Sequence, residues 1–142
     1  MTSKLIGLLL IESDAARVDA IRKVLERDQP AWRLSVAGGV ADAVKALRNG
    51  VFNIILVRYK LADGDAFDLL ADLSSKAVML LVDVGQEGAA ALGMRYGFGD
   101  YMVTGFEPES GLAALDRLAQ RVQSVCDRYE AIRLMREDQD RF

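Results

Sequence analysis

Short runs of consecutive apolar residues alternate along the chain with stretches in which apolar residues recur every three or four positions. Residues 5–11 (LIGLLLI) are apolar almost without a break, as expected of a strand buried on both faces. Asp14 follows as a helix N-cap, and Val18, Ile21, Val24 and Leu25 then keep helical spacing. Trp32, Leu34 and Val36 alternate as a second strand, broken by Gly38 and Gly39. Residues 40–48 predict a short helix with Val44 and Leu47 inward, stopped at Asn49 and Gly50. Residues 52–57 (FNIILV) form a third strand that runs into a loop at 58–65. A helix over about 66–73 then places Phe67, Leu70 and Leu73 on one face. Residues 77–82 (AVMLLV) give a fourth strand, 86–96 a small Ala-rich helix ended by Gly97, and 101–103 a short fifth strand. From about Pro108 a long helix runs to the end, proline being suited to a first helical turn.

Five strands alternating with five helices at this spacing imply βαβ units, hence an α/β fold with a doubly wound parallel sheet. In such sheets the polar residues just past the strands' carboxyl ends gather at the topological switch point. Those positions are Glu12-Ser13-Asp14, Arg58, Val82-Asp83 and Thr104.

Composition removes much of the possible chemistry. A chain of 142 residues that is 51% apolar has the length and the core of one domain. With 18 basic against 21 acidic residues there is no surplus to attract nucleic acid. The apolar run at 8–11 is too short for a membrane span, and Glu12 and Asp14 follow it where a signal peptide needs small residues. A cytoplasmic protein with no membrane partner is expected. The single Cys126 excludes an internal disulfide, and the absence of histidine removes Ser-His, Cys-His and His-metal chemistry. Glu12 alone is too little for a selective Mg²⁺ site, so neither metal nor cofactor is expected. Asp63-Gly64-Asp65 is turn chemistry, and the glycines at 85, 88, 97 and 99 lack phosphate-cradling spacing.

Three segments resemble the receiver domain of two-component response regulators, a (βα)5 flavodoxin-like fold. They are LLLIESDAAR at the first strand and its acidic turn, FNIILVRYKLADGDAF at the third strand and its loop, and YGFGDYMVTG around the fifth. The resemblance covers about residues 4–125 and implies a sheet order 2-1-3-4-5. It also implies phosphoryl transfer to an Asp at the end of the third strand. Two acids after the first strand hold Mg²⁺ with that Asp, and a Ser or Thr after the fourth strand and a Lys after the fifth contact the phosphoryl oxygens. Carried over residue by residue, this chemistry fails at nearly every position. Glu12 keeps the first acid, but Ser13 stands at the second, Arg58 at the acceptor, Val82 at the hydroxyl and Thr104 at the Lys. Sliding the acceptor to Asp63 or Asp65 would break the match of Leu61, Asp63 and Gly64 to the family's LPDxxG loop.

The chain is therefore expected to be a degenerate receiver without a phosphoacceptor and without catalysis of its own. Arg58 either pairs with Glu12, supplying charge that a metal ion normally brings, or reaches into solvent; neither permits aspartyl phosphorylation. Tyr101, the aromatic three residues before Thr104, has lost the hydroxyl that drives its family switch and is expected as static packing or a constant contact. The alternative is a binding module in which the vacated pocket holds a small ligand or anion on Arg58.

The tail adds a second signal. Leu115, Leu118, Val122, Val125, Tyr129 and Ile132 are spaced 3, 4, 3, 4, 3, a heptad seam that predicts a parallel homodimer through the last helix. At 1.5 Å per residue, a helix from Pro108 to Asp140 would reach about 50 Å, beyond what the domain covers. Residues 1–125 are thus expected as the receiver-like domain and 126–142 as a signalling helix leading to a downstream output module or partner signalling protein.

Overall fold

The computed structural model describes residues 5–104 and 115–140. Five strands, β1 (Gly7–Ile11), β2 (Arg33–Ala37), β3 (Ile54–Arg58), β6 (Val78–Val82) and β7 (Asp100–Val103), pair in parallel in the order β2-β1-β3-β6-β7. Two-residue strands β4 (Lys60–Leu61) and β5 (Gly64–Asp65) form a separate antiparallel pair between β3 and β6. With that pair set aside, the sheet order is the 2-1-3-4-5 expected from the sequence.

The two-sided apolar runs do what their composition requires. In β1, β3 and β6 alternate residues face opposite layers. Leu8, Leu10, Ile54, Leu56, Met79 and Leu81 join one core with α1 (Ala15–Asp28) and α5 (Leu118–Asp140). Leu9, Ile11, Ile55, Val57, Val78 and Leu80 join the other, with α2 (Val40–Asn49), α3 (Leu70–Leu73) and α4 (Glu87–Arg95). Strand and crossover helix thus build a three-layer α/β sandwich from period-two strands. Asp14 caps α1 as predicted, accepting from the N–H groups of Ala16 at 2.9 Å and Arg17 at 3.1 Å. Gly97 ends α4 at φ +94°, a conformation that residues with a Cβ rarely adopt.

Two expectations change. The helix placed over 66–73 opens with a 3₁₀ turn, Ala66–Leu69, before α3. Three residues per turn put Ala66 and Leu69 in the core in line with Leu73, while Phe67 and Leu70 are left only partly buried. Phe67 instead stacks near Phe98, with ring centroids 6.1 Å apart.

The tail helix is also not continuous from Pro108. Pro108 lies outside the described residues, Asp116 and Arg117 form a turn, and α5 begins at Leu118. Its 23 residues span about 35 Å. Leu115, Leu118, Val122 and Val125, the first four residues of the predicted dimer seam, are buried in the domain's own core. Val125 packs against the sheet where Gly99 has no side chain: a Cβ there would lie 2.8 Å from Val125 Cγ1. Tyr129 packs at the rim of that core, and Ile132 is 51% exposed. Most of the heptad spacing is therefore the helix's packing face on its own sheet, and only its distal end is open.

Candidate functional site

The carboxyl ends of β1, β3 and β6 and the residue after β7 converge on one buried side chain. Arg58, the last residue of β3, is 1% exposed, so the reading in which it reaches into solvent is wrong. Its Nε donates to Glu12 Oε1 at 2.8 Å. Nη1 donates to Thr104 Oγ1 at 2.5 Å and to Asp83 Oδ1 at 3.3 Å. The pairing with Glu12 is a single contact rather than a fork, because the guanidinium is shared among three partners.

Each partner is set by its strand. Glu12 follows β1 and its N–H donates to the Ala37 carbonyl of β2 at 3.0 Å, which turns the side chain inward. Thr104 follows β7 and is held by its N–H on the Val82 carbonyl at 2.8 Å. Asp83 follows β6 and is gripped from the other side by Arg17, whose Nη2 lies 3.0 Å and 3.2 Å from its two carboxylate oxygens. Arg17 Nη1 also comes within 3.9 Å of Glu12 Oε1. Two guanidinium and two carboxylate groups therefore face one another with their formal charges balanced, Arg58 and Glu12 buried and Arg17 and Asp83 partly exposed at the rim, the condition under which buried charge is tolerated.

Of the five pocket positions named from the sequence, the structure joins Glu12, Arg58 and Thr104. Ser13 turns away: its hydroxyl donates to the Gly38 carbonyl at 2.6 Å and accepts from the Ala62 N–H at 2.9 Å, tying the β1 loop to the loop after β3. Val82 is buried among the apolar residues under α4 and offers the pocket only its backbone. Arg17 escaped the sequence reading. Its one local signal is its place in the first turn of a helix that starts at the switch point, shared with its neighbours there.

Tyr101 lies on β7 and is 38% exposed. Arg121 of α5 donates to the Tyr101 carbonyl and to Asp100 Oδ1 at 3.1 Å, which fixes the backbone beneath it. Burial pushes the Cys126 thiol up to about 11, with Asp127 and Glu130 adding to the effect, so it stays protonated near neutral pH and is a poor nucleophile. Among the described residues no group of three or more Cys, Asp or Glu side chains is placed to hold a metal ion, and no helix is long and apolar enough to cross a membrane. An anion anchored on Arg58 would have to displace the Glu12 carboxylate from a buried ion pair, so the geometry gives the ligand-site alternative no support.

Solved structures share this 2-1-3-4-5 sheet. The signal receiver domain of a putative Luxo repressor protein from Vibrio parahaemolyticus superposes with a TM-score of 0.76 at 16% identity, covering 93% of this chain and 98% of that one. The CheY-like response regulator receiver domain from Methanospirillum hungatei JF-1 gives 0.73 at 17% identity, covering 90% and 98%. This is the receiver fold. The structure of adenylate cyclase from Rhodopirellula baltica also superposes, with a TM-score of 0.73 at 11% identity, covering 98% of this chain and 100% of that one. No family model matches the sequence. Among curated proteins, Methanogenesis regulatory protein FilR1 from Methanothrix harundinacea is 25% identical over 103 residues, which is 68% of this chain. The receiver-fold chain spans only 23% of the length of that relative.

Proposed function

We propose that this chain is a cytoplasmic, receiver-like signalling domain that accepts no phosphoryl group and has no catalysis of its own. It acts through protein–protein contact, as a homodimer along its last helix, and passes conformation to a downstream output domain or partner signalling protein. One observation carries the reading: an arginine, which has no carboxylate to form the acyl phosphate of aspartyl phosphorylation, stands at the end of β3 in contact with Glu12, Thr104 and Asp83.

A phosphorylation switch works by bringing new charge to a pocket whose loops then rearrange. Here the balancing charges are covalently part of the chain. Arg58 ties the ends of β1, β3, β6 and β7 together, and Arg17 adds the start of α1. The arrangement favours one fixed state of the loops, so the output depends on assembly rather than on aspartyl modification. Incubation with acetyl phosphate and Mg²⁺ is expected to leave the intact mass unchanged, and beryllofluoride is expected to leave the Arg58 side-chain resonances where they were. A mass gain of one phosphoryl group, or a shift at Arg58, would overturn the proposal.

A further inference from the structure

The sheet ends in β2 on one side and β7 on the other, and the two edges are treated differently. At β7 two main-chain carbonyls are taken by arginines of α5: Arg121 donates to that of Tyr101, and Arg128 to that of Gly99 at 3.1 Å. β2 has no such cover. Its ladder to β1 runs through alternate residues, from the Arg33 N–H on the Ile6 carbonyl at 2.9 Å to the Glu12 N–H on the Ala37 carbonyl at 3.0 Å. That periodicity turns the N–H and C=O groups of Leu34 and Val36 the other way, out of the sheet. Among the described residues nothing bonds to them.

An edge in this state is a template for another strand. β2 carries little that would block one: its five residues contain no proline, pair with β1 without a bulge, and hold a single charge, Arg33, at the start. Arg33, Ser35 and Val36 are all exposed. Free groups on alternate residues are satisfied together by a second extended backbone, whose own groups repeat at the same spacing. In an antiparallel addition, the residues opposite Leu34 and Val36 put their side chains on the α1 face. There Leu34 borders a cleft of about 190 Å³, with buried Leu8 and Leu25 in its lining, which has room for one aliphatic side chain. On the α2 face the opposing residue meets Arg33, which has no ion pair among the described residues.

We propose that β2 takes an extended segment of a partner protein as a sixth, antiparallel strand, with aliphatic residues opposite Leu34 and Val36 and an acidic residue opposite Arg33. A second copy of this chain would bring another Arg33 to the edge and no acid. No variant used to test the edge touches Arg58 or α5, so its failure is distinguishable from failure of the reading built on them.

The probe is acetyl-Thr-Val-Thr-Leu-Glu-Ser-amide, which has the required pattern when it runs antiparallel to β2. In the full chain the amide protons of Leu34 and Val36 are expected to exchange freely with solvent, while those of Ser35 and Ala37, turned towards β1, are protected. The peptide should shift the Leu34 and Val36 amide resonances with half-saturation near about 1 mM and slow their exchange about tenfold when saturating. The same peptide N-methylated at its valine and leucine should do neither, and one with lysine in place of glutamate should bind about threefold more weakly. Val36→Pro removes an outward donor without breaking the β1 ladder and should abolish the response. Should that variant fail to fold, the N-methylated peptide still decides the matter. No shift at Leu34 and Val36 up to about 10 mM peptide would overturn the proposal. So would equal binding of either altered peptide, or binding that survives Val36→Pro. Protection of those two amides that grows with protein concentration alone would assign the edge to a second copy and overturn it as well.

Discussion

Burying a guanidinium at a strand end has two different energies attached to it, and only one of them is large. Taking Arg58 and Glu12 out of water costs several kcal/mol each, and their attraction roughly returns it, so the pair as a whole adds little net stability. Removing one partner is another matter, because the survivor is left buried with its charge unmatched. Arg58→Met fills much of the space but leaves Glu12 with the Asp14 N–H at 3.4 Å and Arg17 at 3.9 Å. It is expected to lose about 3–5 kcal/mol in urea unfolding. Adding Glu12→Gln removes the stranded charge, so the double variant should be more stable than the sum of the two single losses predicts, by about 0.5–3 kcal/mol. Strict additivity would mean that Arg58 and Glu12 do not depend on each other. The sequence offered this pair as one of two alternatives, because the βαβ period fixes where strands end and strand ends are where side chains meet; burial of Arg58 decides between them. Arg17 was not legible, since its contact with Asp83 spans 66 residues and its place in the first turn of α1 is shared with its neighbours there.

Helix α2 is capped from outside itself. Gly39 at its N-cap has no side chain, and the first N–H groups of the helix, Val40 and Ala41, donate to the Asp63 carboxylate at 2.7 Å and 3.1 Å. A Cβ on Gly39 would lie 2.5 Å from Asp63 Oδ1, so the glycine is what admits the remote cap. Asp63 sits in the tight hairpin that its Asp-Gly-Asp sequence suggests, but its carboxylate serves a helix 23 residues upstream. Local pattern could not reveal this, as it also could not reveal the 3₁₀ opening at Ala66, where the Asp65–Asp68 capping box tightens the first turn. The three central strands, β1, β3 and β6, were legible because burial on both faces demands unbroken apolar runs. The Val40 N–H first, and then that of Ala41, hold the Asp63 carboxyl below its ordinary range. A depressed carboxyl contributes stability above its unfolded-state pKa and loses it as pH falls through the lower, folded value. Asp63→Ala is therefore expected to lower the urea midpoint at neutral pH, with the gap to wild type narrowing on acidification. A gap that stays constant down to strongly acid pH would show that the charge of Asp63 is not what holds α2.

For the molecule as a whole, the question is what the open end of α5 is for. The helix leaves its own core after Tyr129, and beyond that point Ile132, Leu134 and Met135 remain exposed, Met135 at 65%. Single exposed apolar residues are ordinary on a monomer. Ile132 and Met135, however, lie three apart on one helix face, the spacing that lets two helices share a seam. On the same segment Arg133 reaches Glu137 at 3.4 Å and Glu130 at 4.0 Å, so its charge is matched within the helix. Because Leu115, Leu118, Val122 and Val125 are committed to the domain's core, the dimer proposed here rests on this distal stretch alone. A seam that short implies a weak association, dissociating at about micromolar concentration, near −8 kcal/mol. Sedimentation equilibrium is expected to show a dimer at tens of micromolar that falls apart on dilution. Ile132→Lys with Met135→Lys places like charges across the seam and should give a monomer at every concentration, while circular dichroism keeps the helix content, since neither residue belongs to the core. A wild-type chain that stays monomeric throughout, or a double variant that dimerises as well as wild type, would remove α5 as the assembly surface. The receiver-like domain would then have to signal through the face around Tyr101 instead.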